Sequence, residues 1–201
     1  MMQLGILALQ GGYQRHADLL DRLGVAWRWV RSARDLENCT ALILPGGEST
    51  AITHLLQTDG LFEPLKIFAS THPTLGSCAG LILMGQTDDA RVQSLGLLDI
   101  DVSRNAYGRQ SQSFQHDIEV DLSQGRESYP AVFIRAPQIT RVGYAVTVLA
   151  RHQGNPVLVA QGLHLGMSFH PELTDDTRIH RYWLARAETE LQHVPRNEVC
   201  A

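Results

Sequence analysis

The sequence predicts an α/β fold: a three-layer, open and mainly parallel sheet with helices on both faces and antiparallel hairpins at its edge. In the first half, short apolar runs alternate with helical patterns, which is typical of parallel strands joined by helices. In the second half, strand-like segments follow one another with turn signals between them, which favours antiparallel pairing. No repeat, low-complexity segment or linker divides the chain. We therefore expect one domain, residues 1–193, followed by a flexible tail, 194–201.

The first half is predicted to alternate strands and helices in chain order. Leu4–Leu9 and Ala41–Leu44 are continuous apolar runs, as expected of strands covered on both faces. Between them, Tyr13–Leu23 places its apolar residues on one helical face, and Val25–Val30 is the next strand. The elements expected further along are a helix capped by Ser49 or Thr50 and continuing through Leu56, a helix at Leu61–Ser70 and a strand at Thr74–Ser77.

The second half is predicted to be strand-rich before a final helix. The expected strands are Ile118–Leu122, Val132–Ile134, Val142–Ala150 and Pro156–Gln161. The final helix runs from about Asp175 to His193, because apolar residues recur there at every fourth position and form one buried stripe. The members of this stripe are Ile179, Trp183, Ala187 and Leu191.

Composition excludes several classes of protein. Of the 201 residues, 44% are hydrophobic and 19% are charged, which is typical of a globular chain rather than a disordered one. The net charge of −4 gives no basic field for nucleic acid. The uncharged run 67–87 has the length of a bilayer span, but Pro73 and two glycines interrupt it, so we expect no membrane segment.

Cysteine and lysine usage narrows the chemistry further. The three cysteines contain no C-x-x-C pair, which argues against a zinc ribbon and favours a reducing, cytoplasmic location. The single lysine, Lys66, leaves no phosphate-binding loop of the G-K-[ST] type. The nine histidines form no H-E-x-x-H motif, so we expect neither a metal nor a cofactor.

The strongest local motif is the pentapeptide from Gly76 to Gly80, which has the pattern G-x-C-x-G. This is the cysteine form of the nucleophile elbow, in which a strand turns sharply into a helix with the nucleophile at the apex. The helix N-terminus would favour the thiolate of Cys78 and offer an amide to a developing oxyanion. A small buried cysteine in a glycine-rich turn is the alternative that this motif alone leaves open.

Two further motifs could complete a site around Cys78. In Phe169–Glu172 a histidine and a carboxylate stand two residues apart, and on an extended segment that spacing points both side chains the same way. His170 could therefore act as the base and Glu172 could orient it. In Leu44–Thr50 a strand ends in a glycine turn, at the edge of the sheet where open α/β folds bind ligands. Without the cysteine, each motif is equally typical of an ordinary turn before a helix.

Taken together, these motifs and three others resemble the glutaminase subunits of pyridoxal phosphate synthase, a family of triad-type (class I) glutamine amidotransferases with a flavodoxin-like sheet. The motifs that carry the resemblance are Ala8–Gly11, Leu44–Thr50, Gly76–Gly80, Arg104–Gln110, Phe133–Pro137 and Ser168–Leu173. They occur in the family's order and spacing. The second, fourth and fifth are particular to this subfamily, whereas the elbow and the His-Pro-Glu motif are shared by many glutaminase domains.

The resemblance implies a role for each matching residue. Cys78 resembles the nucleophile, His170 the general base and acid, and Glu172 its orienting partner. The residues that resemble the family's L-glutamine contacts are Gly47, Glu48, Ser49, Arg104, Ile134 and Arg135. Backbone amides of Gly47 and Ala79 would form the oxyanion hole. The ammonia would pass to a separate synthase subunit in a hetero-oligomeric complex.

The sequence departs from the family pattern at three positions. Ser77 stands where the family usually has threonine, Gln115 where glutamate is expected, and Gly12 where alanine is common. Two alternatives also stay open: a glutaminase subunit that serves a different synthase, and a non-catalytic relative that retains the elbow cysteine.

Overall fold

In the computed structural model, residues 2–104, 113–122 and 125–193 are described. The strands are β1 (Leu4–Leu7), β2 (Trp27–Val30), β3 (Ala41–Leu44), β4 (Thr74–Ser77), β5 (Ile100–Ser103), β6 (Phe114–Asp121), β7 (Arg126–Phe133), β8 (Gln138–Val142), β9 (Thr147–His152), β10 (Asn155–Gln161) and β11 (His164–Met167). The helices are α1 (Tyr13–Leu23), α2 (Ala33–Leu36), α3 (Ser49–Thr58), α4 (Phe62–Thr71), α5 (Ala79–Met84) and α6 (Arg178–His193), with a 3₁₀ helix at Pro171–Leu173.

Within these residues, one sheet contains nine strands in the order β2-β1-β3-β4-β11-β10-β9-β6-β7. Strands β2, β1, β3, β4 and β11 pair in parallel. Strands β10, β9, β6 and β7 extend the sheet as antiparallel hairpins. Strands β5 and β8 form a separate two-stranded sheet. The predicted architecture is thus confirmed.

Both faces of the sheet are covered by apolar packing, as the continuous apolar runs predicted. In β3, Leu42 and Leu44 contribute to the core that includes α3, α4 and α5, whereas Ala41 and Ile43 contribute to the core that includes α1 and α6. All four side chains of β3 are fully buried. This two-sided burial explains why β3 lacks the polar alternation of a surface strand.

Several predicted elements differ from the structure. The segment Val142–Ala150 was expected to be one strand, but β8 ends at Val142 and β9 begins at Thr147. Between them Gly143 donates its N–H to Asp99 O at 2.8 Å and accepts from Val146 N at 3.1 Å, which closes a turn. The alternating valines were therefore a misleading signal. Helix α2 and strands β5 and β11 were not predicted, and of β8 only Val142 was.

The N-cap of α3 was also predicted wrongly. Neither Ser49 nor Thr50 caps the helix, because the helix already includes both. Glu48 is the N-cap, and its carboxylate accepts from the Thr50 amide at 3.2 Å and from the Thr50 hydroxyl at 2.9 Å. A carboxylate at a helix N-terminus also interacts favourably with the helix dipole.

The uncharged run 67–87 divides among the end of α4, β4 and α5, as expected. No helix in the ranges described above is long and apolar enough to cross a bilayer. The predicted tail, 194–201, lies outside those ranges.

Candidate active site

Three neighbouring parallel strands end at the same edge of the sheet, and each is followed by one of the predicted motifs. Strand β3 leads into the Gly46–Gly47 turn, β4 into Cys78, and β11 into the segment that contains His170. The carboxyl ends of parallel strands are where open α/β sheets bind ligands. The topology therefore brings together motifs that lie more than 120 residues apart in the chain (46 and 170).

Cys78 lies at the tip of a strained elbow. Its backbone has φ 49° and ψ −101°, values that L-residues rarely adopt, and it is the N-cap of α5. The flanking glycines permit this turn, because a Cβ on Gly80 would lie 2.0 Å from the Leu44 carbonyl oxygen. The Cys78 amide donates to Met167 O at 2.9 Å, which fixes the elbow against β11. The geometry confirms the sharp strand-to-helix turn expected from the sequence.

His170 and Glu172 form a short pair in which the carboxylate is buried and the imidazole is partly exposed. His170 Nδ1 lies 2.7 Å from Glu172 Oε1, and the His170 amide donates to Val132 O at 2.8 Å. Glu172 is not on an extended segment, as the sequence suggested, but in the 3₁₀ helix. Pro171 is the first residue of that helix and its ring fixes φ, so the chain turns immediately after His170. The carboxylate still reaches the ring.

The charges of this pair are mutually stabilised. Burial on its own lowers the pKa of His170, but interactions with Cys78 and Glu172 outweigh burial and raise the pKa above its ordinary value. Burial likewise raises the pKa of Glu172, and the opposing effects of His16 and His170 bring it below its ordinary range. The site therefore favours an ionised carboxylate beside an imidazole that holds a proton on Nδ1.

The glycine turn after β3 packs directly against this pair. A Cβ on Gly46 would lie 2.4 Å from His170 Cε1 and 3.4 Å from Cys78 Cβ. The Gly46 carbonyl accepts from the Gly12 amide at 2.8 Å, which holds the turn against the start of α1. The amide of Ala79, in the first turn of α5, has no partner within its own helix. Of the two predicted oxyanion donors, Ala79 directly follows Cys78, and Gly47 belongs to the glycine turn that packs against Cys78.

One cavity of about 320 Å³ collects all the predicted site residues except Ala79. The predicted residues that line it are Gly47, Glu48, Ser49, Cys78, Arg104, Ile134, Arg135, His170 and Glu172. The Ile134 carbonyl lies 3.8 Å from Cys78 Sγ. The sequence did not predict five further lining residues, Gly12, Arg15, Gly46, Ile82 and Leu173. Of these, Arg15 on α1 adds a positive charge to the cavity, and no sequence motif indicated it.

Arg104 is fixed by two carboxylates at the edge of the cavity. Its guanidinium lies 2.5 Å from Glu48 Oε1 and also pairs with Asp89. Burial raises the pKa of Glu48, but hydrogen bonds from Thr50 and the charge of Arg104 lower it overall. An ionised carboxylate and a guanidinium therefore stand side by side. The other residues of the Arg104 motif, 105–110, lie outside the described ranges.

Of the three departures noted in the sequence, one lines the cavity and one lies behind it. Gly12 lines the cavity, and the buried hydroxyl of Ser77 lies 3.3 Å from His16 Nε2. Gln115 is exposed on β6 and lines a neighbouring cavity of about 460 Å³ that also includes Glu172. Among the described side chains, no three histidine, cysteine, aspartate or glutamate residues come together as a metal site.

A parallel sheet with a cysteine elbow and a His–Glu pair at its carboxyl edge is the arrangement that the sequence led us to expect of a triad-type glutamine amidotransferase. A solved structure titled "Crystal structure of glutamine amidotransferase" superposes with a TM-score of 0.84 at 44% identity, covering 92% of this chain and 98% of that one. The chain belongs to the SNO glutamine amidotransferase family, whose model matches residues 6–189.

Two curated relatives carry the name "Pyridoxal 5'-phosphate synthase subunit PdxT". The protein of Francisella philomiragia is 45% identical over 183 residues, which cover 91% of this chain and 98% of the relative. The protein of Pelotomaculum thermopropionicum is 46% identical over 187 residues, which cover 92% of this chain and 95% of the relative. The family expected from the sequence motifs is thus confirmed.

Proposed function

We propose that this protein is a glutaminase that hydrolyses L-glutamine to L-glutamate and ammonia through Cys78, His170 and Glu172. The observation that carries the proposal is the placement of an elbow cysteine beside a histidine whose Nδ1 lies 2.7 Å from a buried carboxylate. In this arrangement the carboxylate fixes the tautomer, the imidazole moves the proton, and the sulfur attacks.

The reaction proceeds by acyl transfer in two halves. The Cys78 thiolate adds to the side-chain amide carbon of glutamine, and the backbone amides of Gly47 and Ala79 stabilise the oxyanion. His170 protonates the leaving nitrogen, so ammonia departs and a γ-glutamyl thioester remains. His170 then takes a proton from water, which attacks the thioester and releases glutamate and the thiolate. His170 thus loses its proton in the first half and regains one in the second, so only the complete cycle restores the starting thiolate and imidazolium.

The charged groups at the cavity edge fit the amino-acid end of glutamine. Arg104 and Arg135 would hold the α-carboxylate, because a guanidinium binds a carboxylate through two parallel hydrogen bonds. The ionised Glu48 would accept from the α-ammonium, with Ser49 and Ile134 closing the pocket. Glutamine thereby places its amide toward Cys78 while its charged end stays at the cavity mouth.

The names of the relatives indicate which biosynthetic reaction would use the ammonia. We propose that ammonia is delivered to a separate synthase subunit in a hetero-oligomeric complex that makes pyridoxal 5'-phosphate in the cytoplasm. The single lysine of this chain agrees with that division of labour, because imine chemistry on a sugar phosphate needs reactive amines. The carbon–nitrogen bond-forming and lyase steps would therefore occur on the partner.

The test is glutamine hydrolysis measured with and without the cognate synthase subunit. We expect weak hydrolysis by the chain alone, a marked increase with the partner, and no hydrolysis by Cys78→Ala under either condition. Hydrolysis that is strong alone and indifferent to the synthase would contradict the assignment of partner. Absence of hydrolysis under both conditions, or activity that persists in Cys78→Ala, would refute the catalytic proposal. A pull-down would reveal a glutaminase that serves a different synthase.

A further inference from the structure

Two buried histidines lie behind the triad, and the mechanism above does not use them. His16 on α1 and His180 on α6 are both 0% exposed, and neither lines the cavity. His180 Nε2 lies 3.4 Å from His16 Nδ1. His16 Nε2 in turn lies 3.3 Å from Ser77 Oγ and 3.5 Å from Glu172 Oε2. A continuous polar contact thus leads from α6 through α1 to the triad carboxylate.

The second oxygen of Glu172 is the atom that needs explaining. Glu172 Oε1 is bound to His170, but Oε2 is buried and has no hydrogen bond of ordinary length within the described residues. Leaving a buried carboxylate oxygen without a donor is unfavourable. His16 Nε2 is the nitrogen placed to serve it, and the 3.5 Å separation is slightly longer than an N–H···O hydrogen bond.

The protonation states of the two histidines follow from their surroundings. Burial lowers the pKa of His16 and of His180, so both are neutral near pH 7 and each carries one ring proton. An ionised carboxylate can only accept, so the favourable tautomer of His16 has its proton on Nε2. His16 Nδ1 then accepts from the Nε2–H of His180. Every ring proton in this series points toward Glu172.

We propose that His16 is a positioning residue for the triad: its Nε2–H holds Oε2 of Glu172, so that Oε1 stays on His170 Nδ1. His180 keeps His16 in the required tautomer. The inference rests on the proposed function, because it assigns a role toward the proposed triad. The competing interpretation is that His16 only fills space and donates to Ser77.

Glutamine and asparagine at position 16 separate these interpretations. The terminal amide nitrogen of glutamine falls near the position of imidazole Nε2 and can still donate to Glu172, whereas asparagine reaches only the position of Nδ1. Both side chains are polar and uncharged, so the two variants are matched in burial. Ser77→Ala removes the alternative acceptor.

Three readouts are measured for each variant. Steady-state hydrolysis with the synthase subunit gives kcat and KM, and thermal unfolding gives stability. The rate at which iodoacetamide alkylates Cys78 at pH 7, followed by the mass of the Cys78 peptide, reports the Cys–His pair without glutamine or partner. We expect His16→Asn to lower kcat by ~10–100-fold with KM within about twofold, the size of loss seen when the group that orients a metal-bound histidine is removed. Alkylation should slow in parallel.

His16→Gln should stay within about threefold of the parent in both kcat and alkylation, as should Ser77→Ala. Equal kcat and equal alkylation rates in His16→Gln and His16→Asn would overturn the inference. This holds whether both variants keep parent activity or both lose activity in proportion to their stability. A loss in Ser77→Ala equal to that of His16→Asn would also overturn it. If the parent hydrolyses no glutamine even with the partner, the proposed function fails, and the alkylation series still decides the role of His16.

Discussion

Replacing Gly46 with alanine would test the triad geometry without altering any triad residue. The added Cβ would lie 2.4 Å from His170 Cε1 and 3.0 Å from His170 Nδ1. The ring cannot retreat freely, because its Nδ1 is held by Glu172 at 2.7 Å. Either the ring or the turn must therefore move by about 1 Å, and a displacement of that size near the reacting atoms lowers turnover by ~10²-fold.

Gly12→Ala is the matched control for this experiment. A Cβ on Gly12 would lie 3.6 Å from Glu172 Oε1 and 4.0 Å from Gly46 O, which are ordinary contact distances, and the φ of Gly12 is −82°. We expect Gly12→Ala to stay within about twofold of the parent kcat, since a substitution without a clash or strain changes little. The assay is ammonia release at saturating glutamine with the synthase subunit, with thermal unfolding measured for both variants. Parent-like turnover in a folded Gly46→Ala, or equal losses in the two variants, would refute the reasoning.

Three other predictions concern backbone strain, acid stability and substrate binding. Because Cys78 has φ 49°, we expect the free energy of unfolding in urea to be about 1 kcal/mol higher for Cys78→Gly than for Cys78→Ala. A lower value for Cys78→Gly would show that the backbone at this position is not strained. Burial lowers the pKa of His164 to about 4 and that of His180 to about 3, whereas the unfolded chain takes up these protons below pH 6.5. Stability should therefore be lost as the pH falls below 6.5, by about 2 kcal/mol per histidine at pH 5, and urea unfolding unchanged between pH 7 and 5 would disprove it. Arg104→Lys should raise KM for glutamine by ~10-fold or more with a smaller change in kcat, because lysine cannot make the two parallel hydrogen bonds; an unchanged KM would remove Arg104 from the binding set.

Local motifs proved sufficient to predict the reactive edge of the sheet. The elbow at Cys78 needs glycines and a strand-to-helix junction, and five consecutive residues are enough to predict both. Helix α1 was predicted with its bounds because its pattern extends over three turns. By contrast, β5 and β11 are four residues each, and their pairing partners lie 42 and 90 residues away in sequence: Val142 pairs with Ile100 and Thr74 with His164. No local signal specifies such pairing.

The position of His16 illustrates a different limit. Helical spacing places His16 on the same face as Leu20, which permits its burial, but nothing in the sequence indicates its contact with Glu172. That contact follows from the packing of α1 beside α6 and the segment of Glu172, which is a property of the tertiary fold. The same holds for Asp89, which fixes Arg104 from a loop that carries no motif.

The strained backbone at the site has a consequence for engineering. Among the described residues, only Cys78, Arg135 and Gln153 have positive φ without being glycine, and the first two line the same cavity. A library selected for thermal resistance alone would therefore gain by exchanging Cys78 and Arg135 for glycine. Such a selection would enrich thermostable variants that no longer turn over glutamine. Stabilisation of this scaffold should hold both positions constant and search the antiparallel half of the sheet instead.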